Sequence, residues 1–144
     1  MKTFRRTLLA ALSVAAFAAS FQAAAQDFKP RIIRFGYGLN EASNQGRATK
    51  LFAQEVEKAS GGKMRVRAIG AAALGSDLQM QQALIGGAQE MMVGSTATLV
   101  GITKEMAIWD TPFLFNNTKE ADAVLDGPVG QKVMDKLQEK GLVG

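Results

Sequence analysis

Between Arg31 and Val93 the chain alternates twice between short β-like runs and longer helical ones, and no other feature restricts its fold so tightly. Arg31 to Tyr37 carries Ile32, Ile33 and Phe35 and reads as a strand. A helix follows from about Asn44 to Ser60, in which Ala48, Phe52, Val56 and Ala59, beside Leu51, recur at helical spacing and form one apolar face. Gly61-Gly62 ends it, because a left-handed cap favours glycine. Met64-Arg65-Val66-Arg67-Ala68 has period two and reads as a second strand, with Arg65 and Arg67 together on a solvated face. Ser76-Asp77-Leu78-Gln79 matches a capping box and opens a helix to about Ile85, stopped by Gly86-Gly87. Met91 to Val93 is then a short buried strand, expected at the centre of the sheet. Strands alternating with amphipathic helices predict an α/β fold: a largely parallel sheet with flanking helices and right-handed crossovers.

In such sheets ligands settle beyond the carboxyl ends of the strands, where turns lead into helices whose first amides are unpaired. The chain concentrates polar groups at these ends. Asn40, Glu41, Ser43 and Asn44 follow the first strand, Ser76 and Asp77 the second, and Ser95, Thr96 and Thr98 the third. Helix starts favour anions, so a small carboxylate is the natural guest. Each residue also has a plainer reading: Ser95 or Thr96 caps the next helix, and Asp77 is stabilised by the dipole of its own helix. Functionally, Asp77 would accept hydrogen bonds from hydroxyl groups or pair with an amine.

The first 25 residues are not read as part of the fold. Lys2, Arg5 and Arg6 precede an apolar segment, Leu8 to Ala19, and the small residues Ala23, Ala24 and Ala25, the layout of a cleaved secretory signal. Residues 26–30 form a polar linker, and residues 31–144 the folded part. Removing the signal leaves 144 − 25 = 119 residues, and the charge balance falls from 17 − 13 = +4 to 14 − 13 = +1. No block of like charge remains to favour nucleic acid or a membrane surface, and no membrane insertion of the mature chain is expected. A periplasmic location follows from the signal. With no His and no Cys, the chain cannot assemble a Ser-His-Asp or Cys-His constellation, and metal ligands would be carboxylates alone. No cofactor and no metal are expected. Glu41 with Asp77 is the one carboxylate pair open to acid-base work in an exported enzyme, the rival from another class.

Gly36-Tyr37-Gly38-Leu39-Asn40-Glu41 begins like a dinucleotide fingerprint but carries Glu where the third glycine belongs, which argues against a nucleotide. Beyond Gly101 the pattern is irregular. Trp109, Phe113 and Phe115 stand in the most aromatic run and are expected in the core, with Pro112 interrupting any central strand. Asn117 with Glu120 opens a short helix to Leu125, and Pro128 begins another. The ending Gly141-Leu142-Val143-Gly144 looks cut at the start of a strand.

The order of these pieces resembles the solute-binding subunit of tripartite ATP-independent periplasmic (TRAP) transporters, the DctP-like family. The matching residues are Phe35-Gly36, Phe52-Ala53-Gln54-Glu55-Val56, Ala73-Leu74-Gly75, Gly87, the run Asp110 to Phe115, and Asp126-Gly127-Pro128-Val129-Gly130. The resemblance implies a two-lobed periplasmic binding protein, no enzyme, that captures a small organic acid and hands it to TRAP membrane permease subunits coupled to a sodium gradient. It also implies that residues 31–144 form the N-terminal part of the first lobe, without the second lobe or its carboxylate-pairing arginine. Carried over, the family's contacts fall near Gly38, on Asp77, and on Ser95 and Thr96. Sialic-acid-binding members have Asn and Glu at the positions of Gly38 and Ser95, so a smaller acid is implied: a dicarboxylate, a 2-oxo acid, a hydroxy acid or a sugar acid. A binding protein of another transporter or of a chemoreceptor is the neighbouring alternative.

Overall fold

The computed structural model describes residues 28–144, so the signal read at residues 1–25 lies outside the described residues. Three strands form a parallel sheet: β1 (Arg31–Tyr37), β2 (Met64–Ile69) and β3 (Met91–Val93). Their order is β2-β1-β3, so β1 lies in the middle and β3 at an edge, not at the centre as the sequence suggested. The reason is length. Seven residues of β1 present ladder groups on both sides, whereas β3 pairs for three residues only, Phe35 with Met91, Gly36 with Met92 and Tyr37 with Val93.

Helix α1 (Asn44–Ala59) crosses from β1 to β2, and α2 (Asp77–Ile85) returns past β1 to β3. Right-handed crossovers running in opposite directions put their helices on opposite faces. Consecutive residues of β1 record this, because side chains alternate across a strand. The Phe35 ring meets Phe52 of α1 edge-on, with centroids 5.6 Å apart, while Gly36 faces Met80 of α2. Ser43 caps α1 by accepting from the Gly46 amide at 3.1 Å. The capping box of α2 forms as read, with the Gln79 amide donating to Ser76 Oγ and the Ser76 amide to Gln79 Oε1. Gly61, Gly62 and Gly87 take positive φ after the two helices, as their placement predicted.

The buried seam of α1 differs from the expected one. Thr49 is buried and Val56 half-buried, while Ala48, Leu51 and Ala59 are exposed. Spacing alone sets which residues share a face. The tilt of the helix on the strands beneath decides which of two neighbouring faces is covered, and here the Thr49 side settles on the sheet.

After β3 come two 3-10 segments, Thr96–Gly101 and Lys104–Asp110, then α3 (Thr118–Leu125), α4 (Pro128–Met134) and a 3-10 turn, Asp135–Lys140. The first core is Ile33, Tyr37 and Met80 around the sheet. A second, Met106, Leu137 and Leu142, gathers Leu84, Leu99 and Trp109. Trp109 thus packs as expected, but Phe113 does not: it is fully exposed, with φ of 59°. Pro112 and the positive φ turn the chain outward there, so the aromatic run divides between core and surface.

Candidate functional site at the carboxyl rim of the sheet

A strand order of β2-β1-β3 creates a switch point between β1 and β3, where the chain leaves neighbouring strand ends toward opposite faces. Tyr37 pairs with Val93, so Gly38 and Gly94 leave the sheet side by side. Asp77, first residue of α2, reaches over this point, and its Oδ2 accepts from the Ser95 amide at 2.9 Å. A side chain on Gly94 would prevent this, since its Cβ would lie 2.7 Å from Asp77 Oδ2. A Cβ on Gly38 would lie 3.4 Å from Oδ1, an ordinary contact. Gly38, Asp77, Gly94 and Ser95 therefore converge on one crevice.

The other loops join this rim through the backbone. The amides of Ala71 and Ala72, both at positive φ, donate to the carbonyls of Leu39 and Tyr37 at 2.7 and 3.2 Å. The loop after β2 is thereby tied to the loop after β1. Asn40 and Glu41 lie in that latter loop, where the Asn40 carbonyl accepts from the Ser43 amide and hydroxyl. Their side chains are exposed and make none of the contacts that join Gly38, Asp77 and Ser95 among the described residues. The carboxylate pair of Glu41 and Asp77 is not brought together by any of these bonds.

Ser95 also has the structural role foreseen for it: Oγ accepts from the Ala97 amide at 3.2 Å and caps the 3-10 segment. Thr96 opens that segment, half-buried beside the crevice. One residue escaped the sequence reading. Gln81 lies one turn beyond Asp77 on α2, is 1 % exposed, and its Nε2 donates to Thr98 Oγ1, which in turn donates to the Ser95 carbonyl at 2.8 Å. Residues i and i+4 share a helix face, so Asp77 and Gln81 grip the Ser95 peptide at its two ends. That spacing was the available signal.

At the opposite, amino end of β3 an ion pair ties that strand to β1. Arg34 forks onto Glu90, Nη2 to Oε1 at 2.8 Å and Nε to Oε2 at 3.0 Å, and the Arg34 amide also donates to Oε2 at 2.8 Å. Because β3 begins only at Met91, the Glu90 carboxylate occupies the place where another ladder bond would fall. The Arg34 hydrogen bonds hold the Glu90 carboxyl down at about 2. A cavity of about 560 Å³ runs along the outer edge of β3 and reaches Gly94, Ser95 and Thr96, but not Gly38 or Asp77. It is a groove beside an open sheet edge, distinct from the crevice above the strand ends. Among the described residues no group of acidic side chains is arranged to hold a metal ion, and no helix is long and apolar enough to cross a membrane.

Known proteins resemble this chain in both sequence and fold. Residues 35–144 match the family model for DctP, bacterial extracellular solute-binding protein, family 7. A solute-binding protein of Verminephrobacter eiseniae is 37% identical over 109 residues, covering 76% of this chain and 32% of that protein. The 2,3-diketo-L-gulonate-binding periplasmic protein YiaO of Escherichia coli is 30% identical over 110 residues, covering 76% of this chain and 34% of its own. The chain thus spans about a third of the length of these curated relatives. The crystal structure of the sugar acid binding protein DctPAm from Advenella mimigardefordensis, in complex with galactonate, superposes with a TM-score of 0.80 at 52% identity. That match covers 82% of this chain and 38% of the other. With a family model matched along most of its length and a parallel α/β sheet of the same shape, this chain belongs to the DctP family of TRAP solute-binding proteins.

Proposed function

We propose that the chain captures a small organic acid in the periplasm, as the extracytoplasmic binding subunit of a TRAP transporter, and delivers it to a sodium-coupled permease. The observation that carries this reading is the convergence of Gly38, Asp77 and Ser95 at the switch point of the sheet, in a member of a solute-binding family. Residues 1–25 serve as the export signal, residues 26–30 as a linker, and residues 31–144 as the N-terminal part of the first lobe. The ligand rests against Gly38, Asp77, Ser95 and Thr96, with Asn40 and Glu41 on the outer lip. The work is binding rather than catalysis: the Asp77 carboxylate is engaged by the Ser95 amide, and the nearest candidate partner for acid-base chemistry, Glu41, stays exposed. Sugar acids are the leading ligand class, since YiaO and DctPAm are named for binding them.

Thermal-shift screening of the protein at its full natural length against a panel of organic acids tests the proposal. A true ligand at 100 times its dissociation constant adds about 2.7 kcal/mol of stability, a shift of several degrees. Absence of a shift with every acid in the panel overturns it.

A further inference from the structure

Beneath the rim, a buried carboxamide on α2 is tied to the peptide that follows Ser95. Gln81 is 1 % exposed, and its Nε2 donates to Thr98 Oγ1. Thr98 Oγ1 donates in turn to the Ser95 carbonyl at 2.8 Å, a firmer hold than the 3.4 Å bond from the Thr98 amide to the same oxygen. That last step is ordinary, because a threonine in a helical turn readily bonds a carbonyl three residues back. The first step is not local: 17 residues separate Gln81 from Thr98. The polarity of the chain is fixed throughout. A hydroxyl has one hydrogen, and the Thr98 hydrogen is committed to the Ser95 carbonyl, so Thr98 accepts from residue 81, which must present a donor.

We infer that Gln81 is a positioning residue of the crevice: acting through the Thr98 hydroxyl, it sets the orientation of the peptide between Ser95 and Thr96 and, with it, the affinity for ligand. The inference rests on the reading that the crevice binds an organic acid. A peptide unit is planar, so holding its carbonyl oxygen fixes the whole plane joining the two residues that border the crevice after β3. At the other end of Ser95 the amide is held by Asp77 at 2.9 Å. Helix α2 thus holds Ser95 on both sides, once directly and once through a hydroxyl, and keeps it in an extended conformation. A wall fixed in advance loses less free energy to ordering when ligand arrives. Gln81 itself touches no ligand; it acts through the Ser95 carbonyl.

Paired substitutions separate this role from packing. Thr98→Val keeps the shape and removes the hydroxyl, whereas Thr98→Ser removes a methyl and keeps the hydroxyl. Gln81→Glu keeps the size but, when ionised, offers only acceptors, so the Thr98 hydrogen turns to the charged group and leaves the Ser95 carbonyl. The protein at its full natural length is used throughout. Amide hydrogen exchange without ligand is expected to quicken at Ser95 by about 10-fold in Thr98→Val and Gln81→Glu, and to stay at the wild-type rate in Thr98→Ser. Calorimetry uses D-galactonate, or the acid of the panel above with the largest thermal shift where galactonate gives none. Kd is expected to rise by about 10-fold in Thr98→Val and Gln81→Glu and to be unchanged in Thr98→Ser. A packing role predicts the reverse order, with Thr98→Val like the wild type and Thr98→Ser weakened, and that order overturns the inference. Unchanged exchange in Thr98→Val and Gln81→Glu overturns it too. Faster exchange with unchanged affinity overturns the positioning role and leaves the organic-acid reading standing. A wild type that binds no acid in the panel sinks that reading and the positioning role with it, and exchange then shows separately whether the tie to Ser95 exists. Melting temperatures identify a variant that has lost its fold, in which case the other decides.

Discussion

At the scale of single residues, the Arg34–Glu90 fork does more than join two surface charges. It supplies the carboxylate that accepts the Arg34 amide where β3 has not yet begun, so it sets where the edge strand starts. The Glu90 carboxyl is depressed from 4.5 to about 2 in the fold, with Arg34 hydrogen bonding as the largest cause. A depressed carboxyl adds stability that is fully present above its unfolded value and is lost as pH falls through the folded one. That window runs from about 4.5 down to about 2. Because the Arg34 side chain is 45% exposed, solvent screens the pair and the contribution is modest. Glu90→Gln is expected to flatten the acid limb of urea-unfolding stability between pH 4.5 and 2 while leaving the slope above pH 5 unchanged. An acid limb identical to that of the wild type contradicts this account. Nothing in the sequence marks the pair, because 56 residues separate its members and only the register of β1 with β3 makes them neighbours.

At the scale of elements, helix starts organise the rim. Ser43 and Ser76 each accept an orphan amide of the first turn, and each fixes where its helix leaves the crevice. Replacing either with Ala is expected to lower stability by about 1 kcal/mol, read as a lower denaturant midpoint at constant slope. The two caps stand on different helices with no shared partner, so the double variant is expected to lose the sum, about 2 kcal/mol, within roughly 0.5 kcal/mol. A loss well below the sum would show that the two starts are coupled through the rim. These boundaries were legible in the sequence because capping is local chemistry, complete within four residues. The covered face of α1 was not, because Ala48 and Thr49 are both compatible with helical spacing and only the strands beneath chose between them.

At the scale of the whole molecule, helices on both faces require the sheet to offer a flat place where α2 comes closest. Gly36 provides it. A Cβ there would lie 2.5 Å from Met80 Sδ and 2.6 Å from Gln89 Nε2, in a buried layer. Gly36→Ala is expected to destabilise by about 1 to 3 kcal/mol through overpacking, measured by urea unfolding. If its stability matches the wild type, α2 yields freely and the layer is less tightly packed than described. The same layering explains why Gly38, Asp77 and Ser95 collect at one rim. Opposed crossovers open a crevice only where β1 and β3 part, and Asp77, carried on α2, is the side chain that spans it.

Local pattern was enough to read the order of elements, their caps, the parallel α/β class and the set of residues near strand ends, because periodicity, glycine stops and capping boxes act over a few residues. It placed Gly38, Asp77 and Ser95 at the right ends of the right elements. Long-range packing put β1, not β3, at the centre, turned Phe113 outward, and kept Asn40 and Glu41 clear of the Asp77 contact. It alone decided that Gln81 and Thr98 hold the Ser95 peptide. These depend on strand order and register, which bring together residues far apart in the chain, and no local pattern encodes which of two edges a three-residue strand will join.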